Sequence, residues 1–527
     1  MLLLIILVIQ VSIAHNFMEA FTNALLNSTQ ANSCIDTLKT IVSNPLASQL
    51  STNFIMYSSH MLNDLGNYEA CTATTQSKYA LLKMKFNPNF PSLVDLAFCG
   101  PIECTLDDYA LLKPYLYDAI VWLFNANNIS LHTQTMNVSI DKIVFTYPQD
   151  DMKITMKLSY GFYITISIIV VLVILAIVST YMDRSGHELS EKSVLGCWSL
   201  EKNFKSLFNT RNPVDENLNV FNGWRVILIS WIVVGHSFGD AAIGPSPNYS
   251  EIINMIKNSI WMTFITAAAF TVDVFFAISG FLGAMSMTKS YSDPKNRNAK
   301  TVLISYAGRM LRLMPLVFVS ILIFMFIMPV LFASPINNFW DDYKDRCRRN
   351  LWNTILFLNN FFGGENLCIN PTWYLANDVQ FFFLTPLFVI PYAINRVAGL
   401  TITGVTMILS TILQGILISK YELSTSTFKE SKGNEFSIYY SKPYCRINTY
   451  LIGILVAWMY MSYKDSKYQN KTFDKITNAF KNNMVLRYIC YVIGTATMLT
   501  LIFLQYFFDH YDTNACLLYT SPSPRDS

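Results

Sequence analysis

Charge is what this sequence has little of. Only 14% of its 527 residues are Asp, Glu, Lys or Arg, while 52% are hydrophobic; soluble domains carry about 25% charged residues. A chain of 60.1 kDa with so little charge cannot cover itself in water, which excludes an ordinary soluble protein. Its 14% aromatic content excludes a disordered one. A net charge of +3 is no footprint for a nucleic-acid partner. Zinc-ligand spacings, a phosphate loop, a dinucleotide fingerprint and a serine-hydrolase elbow are all missing, so no metal is expected. The class that remains is a mainly α, polytopic helical membrane protein.

The two ends read as processing and foreign sequence. Leu2–Ile9 is an unbroken apolar run, too short to cross a hydrocarbon core of about 30 Å. Ser12 and Ala14 stand at the −3 and −1 positions of a cleavage site, which makes residues 1–14 a signal peptide. An uncleaved anchor is the alternative, since no basic residue precedes the run. At the other end, CLLYTSPSPRD (Cys516–Asp526) back-translates to a transposase-type sequencing adapter read in frame. Residues 516–527 are therefore expected to be foreign, with native sequence stopping near Ala515 and further spans missing.

Residues 15–159 are expected to form a small, disulfide-linked helical domain on the luminal or extracellular side. Cys34, Cys71, Cys99 and Cys104 imply two disulfides there, with three possible connectivities. Asn27, Asn128 and Asn137 head glycosylation acceptors. Thr105 is placed to cap a helix with Asp108 at its third position.

Residues 160–178 form a first transmembrane anchor. Residues 179–219 form a cytosolic linker in which GCWSLEKNFKSLFN puts Leu200, Phe204, Leu207 and Phe208 on one helical face beside Lys202 and Lys205. Such a helix lies on the membrane surface or packs on the protein. Residues 220–515 form the membrane domain, with spans expected at 225–238, 259–283, 313–332, 372–394, 400–418, 448–461 and 488–508. With the first region luminal, cytosolic loops carry eighteen Lys/Arg and luminal loops ten, the sense that the positive-inside rule requires. Cys347 and Cys368 then share a luminal loop and can pair, and the acceptor at Asn248 is luminal while that at Asn470 is cytosolic and silent.

Ionisable residues within spans are costly and are functional candidates by default. Arg225 and His236 are eleven residues apart, about 16 Å along one helix face. An arginine at the cytosolic mouth suits phosphates and a histidine suits proton transfer; a snorkelling arginine and a structural histidine fit the spacing equally. Asp273 lies mid-span and needs a partner. Pairing with His236 would orient the imidazole, and helix-to-helix pairing for stability is the alternative. Ser279 lies further towards the cytosol, and Gly280 suits a close helix contact. Arg309 and Arg312 stand at the cytosolic start of a span, to hold a phosphorylated donor or simply to obey the positive-inside rule. Asp378 and Gln380 enter from the luminal side behind Trp373 and Tyr374, where with Ser279 they are candidates for an acceptor cavity.

Taken together, LGNYEAC, CGPIEC, GCWSLEKN, GWRVILISWIVVGH, VDVFFAISGFL, YAGRMLRLMP, NLWNTILFLNNF, PTWYLANDVQFF and KPYCRINTYLIG resemble the nose-resistant-to-fluoxetine family, which joins a luminal cysteine-containing domain to an acyltransferase-three membrane domain. The family often has a further cysteine where this chain reads KYA at Lys78–Ala80. The resemblance implies transfer of an acyl group from cytosolic acyl-coenzyme A to a hydroxyl acceptor, with no metal. It implies that Arg225, with Arg309 and Arg312, holds the donor phosphates, that His236 is the general base and that Asp273 orients it. Membrane lipid and hydrophobic small molecules are the expected partners, in the plasma membrane or an endomembrane. A non-catalytic lipid or hydrophobic-drug carrier and a receptor-like pseudo-enzyme are the competing readings.

Overall fold

The computed structural model describes parts of residues 25–146, residue 255, and residues 158–185, 195–209, 216–243, 259–332, 339–362, 367–423 and 434–510. The expected signal peptide, the acceptors Asn27, Asn128, Asn137 and Asn248, and residues 516–527 lie outside the described residues. Two compact units divide the chain: residues 1–154 with 234–266 and 503–527, and residues 155–233 with 267–502.

In the first unit, helix α1 (Ser33–Ser43) and a short helix over Tyr68–Thr72 accompany a three-stranded antiparallel sheet. Strand β1 (Ser77–Lys85) lies between β2 (Leu93–Pro101) and β3 (Val144–Thr146), with Tyr79 opposite Cys99. The sheet adds strands to the helices expected for this region. The four cysteines pair as Cys34–Cys104 and Cys71–Cys99. Each bond ties a helical segment to β2 or the turn that follows it. At KYA, Tyr79 is buried, with its ring 5.0 Å from that of Tyr68.

The expected capping box is in place. The Thr105 backbone N–H donates to Asp108 Oδ2 at 2.7 Å, and the Asp108 N–H donates back to Thr105 Oγ1 at 3.4 Å. Asn32, whose side chain caps α1, also donates to Asp108 Oδ1 at 2.7 Å. Partial burial raises the Asp108 pKa, but the bonds from Thr105 and Asn32 outweigh it and hold the carboxyl below its ordinary value.

The second unit is helical. It contains α2 (Tyr160–Arg184), α3 (Leu200–Leu207), the start of α4 (Val220–Ile243), α5 (Thr271–Tyr291), α6 (Ala299–Leu322), α7 (Phe339–Ile355), α8 (Thr372–Ile394), α9 (Arg396–Tyr421), α10 (Pro443–Lys464), α11 (Lys471–Asn482) and most of α12 (Met484–His510). Ser159, Asn298 and Asn395 cap α2, α6 and α9 by accepting from backbone N–H groups of the first turn. Among the described residues, six helical stretches are long and apolar enough to cross a membrane: 160–184, 260–291, 299–331, 372–394, 396–421 and 484–504. This is a multi-pass membrane architecture. Helices α4 and α10, at 24 and 22 residues, cover two more expected spans and carry Arg225, His236 and Arg446.

One expected boundary is corrected. The third span of the membrane domain was placed from Leu313, but its helix starts at Ala299 and runs through Arg309 and Arg312. An apolar run stops at an arginine; a helix does not have to, and here Arg309 finds a partner inside the protein while Arg312 stays exposed. The helix continues through a π-helical turn at Ile323–Ile327.

The core of this unit is built on α5, α8 and α10. Gly280 and Gly453 bring α5 and α10 together: a Cβ on Gly280 would lie 2.2 Å from the Tyr450 carbonyl oxygen, and one on Gly453 2.0 Å from that of Ala277. Gly280 is the close helix contact that its position suggested. Around it Phe276, Phe281, Tyr450, Ile454 and Trp458 are buried in one cluster with Phe381 and Tyr392 of α8. Trp458 stacks on Tyr392 at 3.8 Å and donates to Thr288 Oγ1 at 3.0 Å.

Gly453→Val is expected to force α5 and α10 apart and cost about 1–3 kcal/mol, the usual range for overpacking, read as a lower thermal unfolding midpoint in detergent than for Gly404→Val, where the added Cβ meets open space. For the first unit, the depressed Asp108 pKa means that its contribution is complete above the unfolded carboxylate pKa of about 3.9 and is lost as pH falls through the lower folded value. Hydrogen exchange of the first turn of α1 should accelerate below about pH 4, and Asp108→Asn should remove that acid step; an unchanged step would assign it elsewhere.

Candidate active site

Two polar clusters lie within the helices of the second unit. The first joins α5, α6 and α8. Asp378 is 4% exposed. Ser279 Oγ donates to its Oδ1 at 2.5 Å, and Arg309 Nη2 forms a short ion pair with its Oδ2. Arg309 Nη2 also reaches Ser279 Oγ at 3.3 Å, and its guanidinium lies 4.8 Å from the centroid of the Phe382 ring. One turn earlier, Tyr306 donates to the Phe383 carbonyl at 2.5 Å, so α6 is fastened to α8 at two successive turns. Tyr374 stacks on Phe276 at 4.6 Å, and its hydroxyl lies within electrostatic reach of Asp378, Arg309 and Arg225.

The second cluster joins α5 to α10. Arg446 Nη1 donates to Asp273 Oδ2 at 2.8 Å, and Thr449 Oγ1 approaches Oδ1 at 3.5 Å. The Arg446 guanidinium lies 4.3 Å from the Tyr440 ring centroid. Arg446 precedes the span expected at 448–461, yet it stands in the first turn of α10. The signal that could have found it is the demand of Asp273 for a counter-ion inside a span. Asp273, expected to orient His236, has Arg446 and Thr449 as its hydrogen-bond partners.

Gln380 has a third role. Its Nε2 donates to the Phe357 carbonyl at 2.7 Å and to Asn360 Oδ1 at 2.9 Å, and its Oε1 accepts from Asn360 Nδ2 at 3.0 Å. Phe357 has φ 55°, a left-handed conformation that is costly for a bulky residue. The Gln380 and Asn360 amides hold that turn. Beside it, Asn377 donates to the Ser441 carbonyl at 2.9 Å and Lys442 Nζ to the Asn360 carbonyl at 2.6 Å. Burial pushes the Lys442 amine below its ordinary pKa. Cys347 in α7 and Cys368 ahead of α8 form the expected disulfide, which pins the same turn from the other side.

Helix α4 carries Arg225 and His236, both exposed. Arg312 is exposed on α6, whereas the neighbouring Arg309 is taken up by Asp378. The structure therefore brings Ser279, Arg309 and Asp378 into contact, and brings Asp273 to Arg446. Among the described residues, no three His, Cys, Asp or Glu side chains gather as a metal site.

The acyltransferase domain family (acyltransferase 3) matches residues 218–524, more than half of the chain, and the chain belongs to that family. It is 27% identical over 267 residues to nose resistant to fluoxetine protein 6 of Caenorhabditis elegans, covering 46% of this chain and 32% of that protein. It is 25% identical over 304 residues to regulator of hypoxia-inducible factor 1 of the same organism, covering 52% of this chain and 57% of that protein. The matches thus span about a third and just over half of those relatives. No solved structure matches the chain at a significant level.

Arg309→Met leaves the Asp378 carboxylate buried without its counter-ion and is expected to destabilise the protein by about 3–5 kcal/mol. Arg309→Met with Asp378→Leu should recover most of that loss in detergent thermal unfolding. Equal destabilisation by the single and double variants would show that packing, not the ion pair, sets the cost.

Proposed function

We propose that the chain is a membrane acyltransferase that moves an acyl group, other than an aminoacyl group, from cytosolic acyl-coenzyme A to a hydroxyl on a membrane lipid or hydrophobic small molecule. The observation that carries the reading is the acyltransferase domain match over residues 218–524, within which Arg225 and His236 sit exposed on one helix. An exposed guanidinium at a membrane boundary suits the donor phosphates, and the exposed Arg312 is assigned to the same task. Arg309 is assigned to fixing Asp378. His236 takes the proton of the acceptor hydroxyl as its oxygen attacks the thioester carbonyl. The carbon–sulfur bond breaks, and the departing coenzyme A thiolate takes that proton from the imidazolium. Asp378 and Ser279, held by Arg309, line the acceptor side. Asp273 supports the site by locking α5 to α10 through Arg446.

In this reading residues 15–159 and the segment closed by Cys347–Cys368 face the lumen or the cell exterior. The three disulfides support that assignment, because such bonds persist in oxidising compartments.

The test is acyl-coenzyme A turnover in membranes carrying the full-length protein, with His236→Ala beside it. The expected loss is at least about 100-fold, the lower end for removal of a general base, with disulfides and expression unchanged. Undiminished turnover in His236→Ala would remove the base. Absence of both turnover and coenzyme A binding in the unaltered protein would favour the carrier reading.

A further inference from the structure

Helix α3 keeps an apolar face that the protein leaves uncovered. Leu200, Phe204, Leu207 and Phe208 are 56%, 63%, 78% and 65% exposed, and the two phenylalanine rings lie 4.4 Å apart. Packing on the protein, one of the two readings of this segment, would have buried them. Four such side chains in water form a patch that a helix of eight residues has no reason to present.

The other side of α3 is fastened to the last turns of α2. The Leu200 N–H donates to Thr180 Oγ1 at 2.9 Å and Ser199 Oγ to Asp183 Oδ2 at 3.0 Å. Lys202 pairs with Asp183 at 2.7 Å and Arg184 with Glu201 at 2.9 Å. These anchors fix a depth. Helix α2 is long and apolar enough to cross the membrane, and the twenty residues from Tyr160 to Thr180 rise about 30 Å, the thickness of the hydrocarbon core. Thr180, Asp183 and Arg184 therefore stand at the membrane boundary, and α3 is held beside them. Helix α2 likewise presents apolar side chains outward near this end, with Ile174 and Ile177 52% and 59% exposed.

We propose that α3 lies in the bilayer interface, with Leu200, Phe204, Leu207 and Phe208 inserted among the acyl chains of the leaflet in which α2 ends. The partner is the lipid surface itself, and the inference does not depend on the acyltransferase reading. Insertion is apolar rather than electrostatic. Lys202 is paired with Asp183, and Glu201 is shared by Lys205 at 2.8 Å and Arg184, so each of these three cations has a carboxylate beside it and the cluster keeps only a single net positive charge. The Lys205 ammonium and then the Arg184 guanidinium hold Glu201 down to a pKa of about 2, which keeps the arrangement ionised throughout the neutral range. Docking is accordingly much less sensitive to salt and to anionic lipid than that of a polybasic helix.

The test places an environment-sensitive fluorophore at Phe204→Cys, and separately at Leu207→Cys, in full-length protein whose Cys197, Cys445, Cys490 and Cys516 are serine. Lys205→Cys labels the polar face; breaking an exposed ion pair there has little effect on stability. The proteins are placed in phosphatidylcholine nanodiscs doped with lipid bearing a nitroxide near the top of the acyl chain. The expected result is blue-shifted emission and several-fold stronger lipid quenching at positions 204 and 207 than at 205, unchanged in high salt. Labels at 204 and 207 that the nitroxide lipid does not quench would overturn the proposal, whether aqueous iodide reaches them or they are shielded by protein. Quenching that high salt abolishes would overturn its apolar basis.

Discussion

The backbone contact between α5 and α10 is the constraint on which the rest of the membrane unit depends. In lipid, apolar side chains gain little by leaving one apolar solvent for another, so helices associate through close packing and polar contacts. Gly280 and Gly453 each face a carbonyl of the other helix at a distance that admits no Cβ. That approach seats Asp273 of α5 against Arg446 of α10. It also sets the Tyr450 hydroxyl 2.8 Å from Thr385 on α8, which brings the third core helix into the same packing.

The charges inside the spans follow from that packing. A carboxylate in a membrane interior needs a partner with good geometry, or it neutralises or drives the helix out. Both Asp273 and Asp378 have an arginine from another helix. Each pair therefore fixes a helix neighbour and a register at once, since sliding either helix by a turn would leave two charges in lipid. Arg309 and Arg446 are occupied by this task. The exposed ionisable groups Arg225, Arg312 and His236 take no part in these two ion pairs.

Around this core the surface is apolar and open. Helices α2, α9 and α12 present most of their Ile, Leu and Val side chains outward, as lipid-facing spans must. The uncovered face of α3 belongs to the same pattern at the membrane boundary. The polar surroundings of Gln380 serve a different end. They hold the left-handed Phe357 turn that the Cys347–Cys368 bond closes, so this amide, which looked like cavity lining, secures a loop between α7 and α8.

Features set by near neighbours in the chain were legible in the sequence. Apolar run lengths gave most of the spans, the Thr105–Asp108 spacing gave its capping box, and Gly280 gave the close contact, because each depends on local periodicity or on one residue's missing side chain. The family resemblance was legible because its motifs recur in order. Which cysteines of the first region pair, that Arg446 belongs to Asp273 and Arg309 to Asp378, and that Gln380 holds a turn were decided only by the tertiary structure. Those partners lie far apart along the chain, and a side chain's type states that it needs a partner without saying which distant residue the packing will bring to it.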